Sequence, residues 1–358
     1  MTDHMDSLAL FERIASEVWL TDADRFVHAT TAAHEGRMAL LARPDDAPEL
    51  LPETPRPPIP VGLTHFLYAQ YYLQDPNEVE NGRTNALSKI PICAREDAEL
   101  GRALREANRG SGYLEPGWTV VGHEDDATLA HKAGVTLVCR EDDIAEPGPH
   151  RVGASIALRF PNERPYTYPG FFTAIGDGGP TTPDEGRAIV RVYFDVAPTM
   201  AAALVSALTG TLGRSLSRFT LKVLNNPRWY TRPDAAVAYL LRDEYPRAHA
   251  VVGEIVRSFG ERLGDRTPTL ARRLAPGVAV AEEPIIEGSN RASFGFHRCG
   301  LIAEGLARAH SAGVRTAAGR SACILRAYQD AGLDPARPWL NPGSPDFHPL
   351  DWQGMTCD

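Results

Sequence analysis

Two segments set the kind of core this chain can build. In 188–196 (Ala-Ile-Val-Arg-Val-Tyr-Phe-Asp-Val), Val190, Val192, Phe194 and Val196 fall on one side of a period-two repeat. Ile189, Arg191, Tyr193 and Asp195 fall on the other. In 218–225 (Arg-Phe-Thr-Leu-Lys-Val-Leu-Asn), Phe219, Leu221 and Val223 share one side, and Arg218, Thr220, Lys222 and Leu224 the opposite one. Each segment predicts a strand with a wholly apolar side for the core. Its second side carries a cation between partly apolar neighbours. The 31 glycines and 29 prolines point the same way, to a turn-rich mixed fold and not a helical bundle.

The flanking sequence fills in an α+β pattern. Helices are expected over 6–19 (Leu8, Phe11, Ile14, Val18 on one stripe), after the proline-rich connector 52–60 (Leu63, Phe66, Leu67, Tyr71, Leu73), and over 97–109. From 117 the period shortens. Runs at 117–121, 127–131 and 134–140 read as a meander, and 152–160 as a longer strand. The aromatic then glycine-rich stretch 166–179 reads as a surface loop. Helices follow at 199–212 and, beginning at Pro233 and Asp234, at 233–259. A short apolar strand at 292–296 precedes helices at 298–312 and 317–331, which end at Gly313 and Gly332. The expected organisation is a helical N-terminal lobe, 1–112, and an α+β domain, 113–358, with a central antiparallel or mixed sheet flanked by helices.

Composition narrows the function. The chain has 358 residues and a net charge of −9, the wrong balance for a protein whose main partner is nucleic acid or an anionic membrane. No apolar run approaches the roughly 18 residues of a membrane span, and the acidic N-terminus lacks the basic region of a secretion signal, so a cytoplasmic location is expected. Five scattered cysteines without CxxC indicate neither disulfides nor a zinc knuckle. P-loop, protein-kinase, zincin, nucleophile-elbow and dinucleotide fingerprints are missing, so no cofactor and no metal are expected.

Of 37 basic residues only three, Lys89, Lys132 and Lys222, are lysine. Arginine serves as a generic surface cation but cannot give up its proton inside a protein, whereas a lysine amine can be tuned into a base. Lys222, enclosed by Leu221, Val223 and Leu224, suits that role through desolvation and neighbouring Arg charges. The same Arg groups, Arg191 and Arg218 with Arg232, can grip a phosphate. Arg232 can also pair with Asp234. In Ser293-Phe-Gly-Phe-His-Arg-Cys299, Arg298 at a helix start would add to a phosphate cradle and His297 would protonate a leaving oxygen. A capping or packing role is the alternative for both. Tyr166, Tyr168, Phe171 and Phe172, with Tyr193, offer contact for an extended peptide; the same aromatics can simply anchor the loop.

Five segments occur in a fixed order: Arg191–Asp195, Phe219–Asn225, Tyr230–Tyr239, Ser293–Cys299 and Arg337-Pro-Trp-Leu-Asn-Pro-Gly343. Together they resemble the HopA-type effector domain, a family of type III secreted effectors and of actinobacterial proteins encoded beside lanthipeptide and thioamitide precursors. The resemblance is densest over 188–343. It implies a fold related to phosphothreonine lyases. In the biosynthetic branch it implies a lyase that follows a separate kinase and eliminates phosphate from Ser or Thr of a precursor peptide, leaving dehydroalanine or dehydrobutyrine. Implied partners are the phosphorylated precursor peptide and its cognate kinase. The Lys-x-His spacing of the phosphothreonine lyases is not present; His131-Lys132 is the nearest local match, which makes Lys132 a second candidate base. An effector-like virulence protein and a non-catalytic peptide- or kinase-binding subunit are the other readings.

Overall fold

The computed structural model describes residues 7–22, 25–29, 36–37, 61–75, 95–165, 167–181, 187–216, 218–285 and 293–347. The proline-rich connector, Lys89 and Tyr166 lie outside them. In chain order the elements begin with α1 (Ser7–Glu17), the small antiparallel sheet β1 (Val18–Asp22), β2 (Arg25–His28) and β3 (Gly36–Arg37), α2 (Val61–Leu67) and α3 (Ala98–Ala107). Next come β4 (Tyr113–Glu124), β5 (Ala127–Lys132), β6 (Val135–Cys139) and β7 (Ser155–Phe160). The rest is β8 (Phe171–Ile175), β9 (Ile189–Phe194), α4 (Pro198–Ser215), β10 (Phe219–Leu224), β11 (Ala236–Leu241), α5 (Tyr245–Phe259), β12 (Arg272–Ala275), β13 (Val278–Glu282), α6 (Phe294–Ser311) and α7 (Ala317–Asp330). The expected α+β class is what the structure shows. Within 1–112, Val18–Asp22, Arg25–His28 and Gly36–Arg37 form strands where only helices were expected.

The central sheet has the order β12-β13-β9-β11-β10-β8, antiparallel throughout. Its first face carries Val190, Val192, Phe194, Leu221, Val223, Ala236, Ala238 and Leu240 and is covered by α4 and α5. Its second face presents Tyr193, Val237, Ala279 and Ala281 to a core shared with α1, α2, α6 and α7. A separate four-stranded sheet, β6-β5-β4-β7, has its own small core around Trp118, Val120, Ala130, Ile156 and Leu158.

Three expected elements differ. Residues 233–241 are not the start of a helix but a turn followed by strand β11 (Ala236–Leu241), buried on both faces; an apolar run covered on both sides has no period by which sequence can tell strand from helix. The helix begins instead at Tyr245, with Pro246 in its first turn. Within 166–179, Phe171–Ile175 is the edge strand β8 and not loop. Within the strand expected at 292–296, Phe294–Phe296 instead open α6, capped by Ser293, whose Oγ accepts from the Phe296 amide at 3.4 Å.

One local irregularity positions the site. After α2 the chain makes a π-helical turn, Tyr68–Tyr72, in which the Leu73 amide donates to the Tyr68 carbonyl at 2.9 Å. Tyr68 and Tyr72 stack with centroids 5.1 Å apart. Tyr72 lies against Gly295, where any Cβ would collide with its ring, so only glycine lets α6 approach this closely.

Candidate active site

The site grows from two adjacent rungs on the second face of the sheet. One rung runs Thr173, Lys222, Val237, Tyr193, Ala279; the next runs Ile175, Thr220, Tyr239, Arg191, Ala281. The period-two pattern thus brings Arg191 and Lys222 to one face, as their spacing predicts. Lys222 Nζ stands 4.2 Å from the Phe171 ring centroid, 5.1 Å from that of Tyr168 and 5.9 Å from that of Tyr239. No carboxylate or carbonyl among the described residues bonds to it. Burial, reinforced by the Arg191 and Arg232 charges, lowers its pKa to about 8. A substantial fraction of the amine is therefore neutral near physiological pH.

Two guanidiniums lie against rings that Lys222 also meets, Arg191 at Tyr239 and Arg232 at Phe171. Arg191, buried, lies over the Tyr239 ring at 4.9 Å and grips Glu283 with both Nε and Nη2, the latter at 2.6 Å. Burial opposes its charge, but Tyr239 and Glu283 outweigh that and keep it protonated. Arg232 sits 5.9 Å from the Phe171 centroid, holds Asp234 at 2.5 and 2.8 Å, and donates to the Tyr68 hydroxyl at 3.4 Å. Burial works against the Asp234 carboxylate, yet Arg232 and Lys222 hold its pKa below the usual range. The pairing of Arg232 with Asp234 is the alternative visible in the sequence. Beside Lys222, the fully buried Thr173 hydroxyl has no hydrogen-bond partner among the described residues.

Other expected site residues stand elsewhere. Arg298 is buried completely, inside the second turn of α6. Its guanidinium donates to the carbonyls of Pro338 (2.7 Å) and Leu340 (3.0 Å), so it clamps the Arg337–Gly343 turn and has no face open to a phosphate. His297 meets the Arg298 Nη1 through Nδ1 at 2.7 Å. Burial and that neighbouring cation push its pKa down to about 4, so it holds no spare proton near neutrality and is a poor acid. Lys132 belongs to the four-stranded sheet, where it pairs with Glu115 at 2.9 Å and donates to the Pro116 carbonyl at 2.7 Å; no contact joins it to Lys222. Phe172 is buried on the first face of the sheet, and Tyr193 is buried with its hydroxyl accepting from Tyr72 at 3.1 Å. Neither can meet a peptide. Tyr168 and Phe171 do border Lys222, and Arg218 is half-buried just before β10.

Tyr68, Tyr239 and Glu283 join the site without a forewarning in the sequence. The helix expected over 233–259 hides Tyr239. Glu283 and Tyr68 come from segments remote in sequence, and no local pattern marks either. Glu283 is held in turn from behind: Asn341 Nδ2 donates to its carbonyl at 2.7 Å, and the Asn341 amide donates to Glu282 at 2.7 Å. Arg298 therefore supports the site through the turn it clamps.

The chain is similar to known effectors. An effector protein from Pseudomonas syringae pv. tomato strain DC3000 aligns over 79% of this chain and 99% of its own, at 14% identity and a TM-score of 0.41. A second, from Pseudomonas syringae pv. syringae strain 61, aligns over 48% of this chain and 63% of its own, at 19% identity and a TM-score of 0.36. No curated protein matches the sequence. The family model of the HopA1 effector protein family matches residues 162–340, half the chain, and takes in Arg191, Lys222, Arg232, Asp234, Tyr239 and Glu283. The chain belongs to the HopA1 effector protein family.

Proposed function

We propose that the protein is a phosphoserine or phosphothreonine lyase that acts on a kinase-phosphorylated ribosomal precursor peptide. It removes phosphate by β-elimination and leaves dehydroalanine or dehydrobutyrine. One observation carries this reading: the Lys222 amine, which bonds to no carboxylate among the described residues and whose pKa is lowered to about 8, shares the Tyr239 ring with Arg191 and the Phe171 ring with Arg232. A neutral amine takes the Cα proton, and the guanidiniums hold the phosphate that departs. Arg191 engages phosphate once Glu283 yields it. Tyr168 and Phe171 flank the extended peptide. The cognate kinase supplies the phosphorylated substrate, and both act in the cytoplasm. Among the described residues no helix is long and apolar enough to cross a membrane.

The decisive experiment incubates the purified protein with a phosphorylated precursor and follows mass. Loss of phosphoric acid, with a new dehydroamino acid at the phosphosite, is expected. Binding of the phosphopeptide with the phosphate left in place would support a non-catalytic subunit instead. That reading draws on Arg191 being already occupied by Glu283.

A further inference from the structure

We propose that Tyr239 is the acid partner of Lys222 and donates its phenolic proton to the departing phosphate oxygen. The assignment rests on the lyase reading above and supplies the group that reading lacks. In the elimination, Lys222 Nζ takes the Cα proton and the C–H pair becomes the Cα–Cβ π bond. The Cβ–O bond breaks with its electrons on the phosphate oxygen. That oxygen receives the Tyr239 proton, and the phenolate recovers one from water while Lys222 returns its proton to solvent.

Position argues first. Tyr239 lies on a central strand, one rung from Lys222 and directly opposite Arg191, so backbone pairing fixes it relative to both. Its ring centroid is 5.9 Å from Lys222 Nζ and 4.9 Å from the Arg191 guanidinium carbon. A base on one side of a reacting Cα–Cβ unit and an acid near the phosphate-binding cation is the arrangement elimination needs.

Availability argues second. The hydroxyls of Tyr68, Tyr71, Tyr72 and Tyr230 are each engaged in hydrogen bonds. The Tyr239 hydroxyl bonds to no described residue, and the side chain is half-buried. The Tyr168 hydroxyl likewise bonds to no described residue, but Tyr168 sits on a connecting segment with 42% of its surface exposed, a less exact mount for proton transfer.

Protonation state is consistent with both. Burial raises the Tyr239 pKa to about 12 while Arg191 acts in the opposite sense, so the phenol keeps its proton through the working range. The guanidinium over its ring would also stabilise the phenolate as it forms. His297 holds no such proton.

The test compares wild type, Tyr239→Phe and Lys222→Arg on two peptides that differ only in the leaving group, phosphoserine or O-sulfoserine. Sulfate is a far weaker base than phosphate and departs without a proton. Tyr239→Phe keeps the ring beneath Arg191. It should slow elimination from the phosphopeptide by about 10² or more, bind that peptide with unchanged affinity, and keep most of its rate on the sulfopeptide. Lys222→Arg should lose both. Wild-type rates for Tyr239→Phe on phosphopeptide, or an equal loss on both peptides, would overturn the assignment. A wild-type protein that leaves both peptides intact would overturn the lyase reading itself.

Discussion

Glu283 occupies the guanidinium of Arg191, with Nη2 donating to Oε1 at 2.6 Å and Nε to the other carboxylate oxygen. The pair is largely buried, and a carboxylate gripped in this two-pronged way has the shape and charge that a phosphate would present. The site therefore carries its own anion, and under the proposed function a phosphorylated substrate competes with it.

Glu283→Gln should strengthen phosphopeptide binding. The amide keeps the size of the side chain but gives up the charge, and charge-assisted bonds contribute roughly 1.5–3 kcal/mol. An affinity gain of about tenfold, read by fluorescence anisotropy with a non-eliminable phosphonate peptide, is the expected outcome. Unchanged or weaker binding would show that Glu283 orients Arg191 for the phosphate and does not compete with it.

Lys222 predicts the pH profile. Only the neutral amine accepts a proton, and its pKa is about 8, so elimination should rise with pH and level off above that value. Lys222→Arg should lower the rate by about 10² or more while leaving peptide affinity in place. A flat profile across this range in single-turnover assays would remove Lys222 as the base.

The same shift has a sign in stability. Folding lowers the Lys222 pKa from 10.5 to about 8, so the native state disfavours the charged form. That penalty is fully present below the folded pKa and fades as pH rises through the unfolded one. Lys222→Met should therefore raise Tm at neutral pH, with the gain shrinking toward pH 10.5. An increment that is the same in both buffers would point to packing and not to charge.

Arg298→Lys separates support from binding. Lysine carries the charge but cannot reach the carbonyls of Pro338 and Leu340 together. Loss of one buried charged hydrogen bond costs about 1.5–3 kcal/mol, so calorimetry should show Tm lower by several degrees. Intact stability with lost phosphopeptide affinity would restore Arg298 to the phosphate cradle.

Much of this arrangement is written locally. The alternation in 188–196 and 218–225 puts Arg191 and Lys222 on one face because strand period depends on nearest neighbours alone. The scarcity of lysine then singles out Lys222. What failed did so where tertiary context decides. Strand β11 is covered on both faces and so carries no period. His297 and Arg298 read as a site because a charged pair near a helix start suits an anion. The turn at 337–343, some forty residues away, is what draws Arg298 inward. Glu283 and Tyr68 meet the site only through the fold.

The π-helical turn Tyr68–Tyr72 makes this part of the chain a counted length. A π-turn holds one residue more than the α-turn it replaces, and that extra residue lets Tyr68 reach Arg232 while Tyr72 packs under Gly295 and bonds Tyr193. Removing any one residue would close the turn to the narrower α form, and the arc that separates Tyr68 from Tyr72 would lose a position. One of the two tyrosines would then lose its place. Substitution of the half-buried Gln70 should be borne far better than its deletion, a contrast that paired melts of Gln70→Ala and a Gln70 deletion would reveal. Relatives that share this site are thus expected to vary in residue identity here and to keep the spacing.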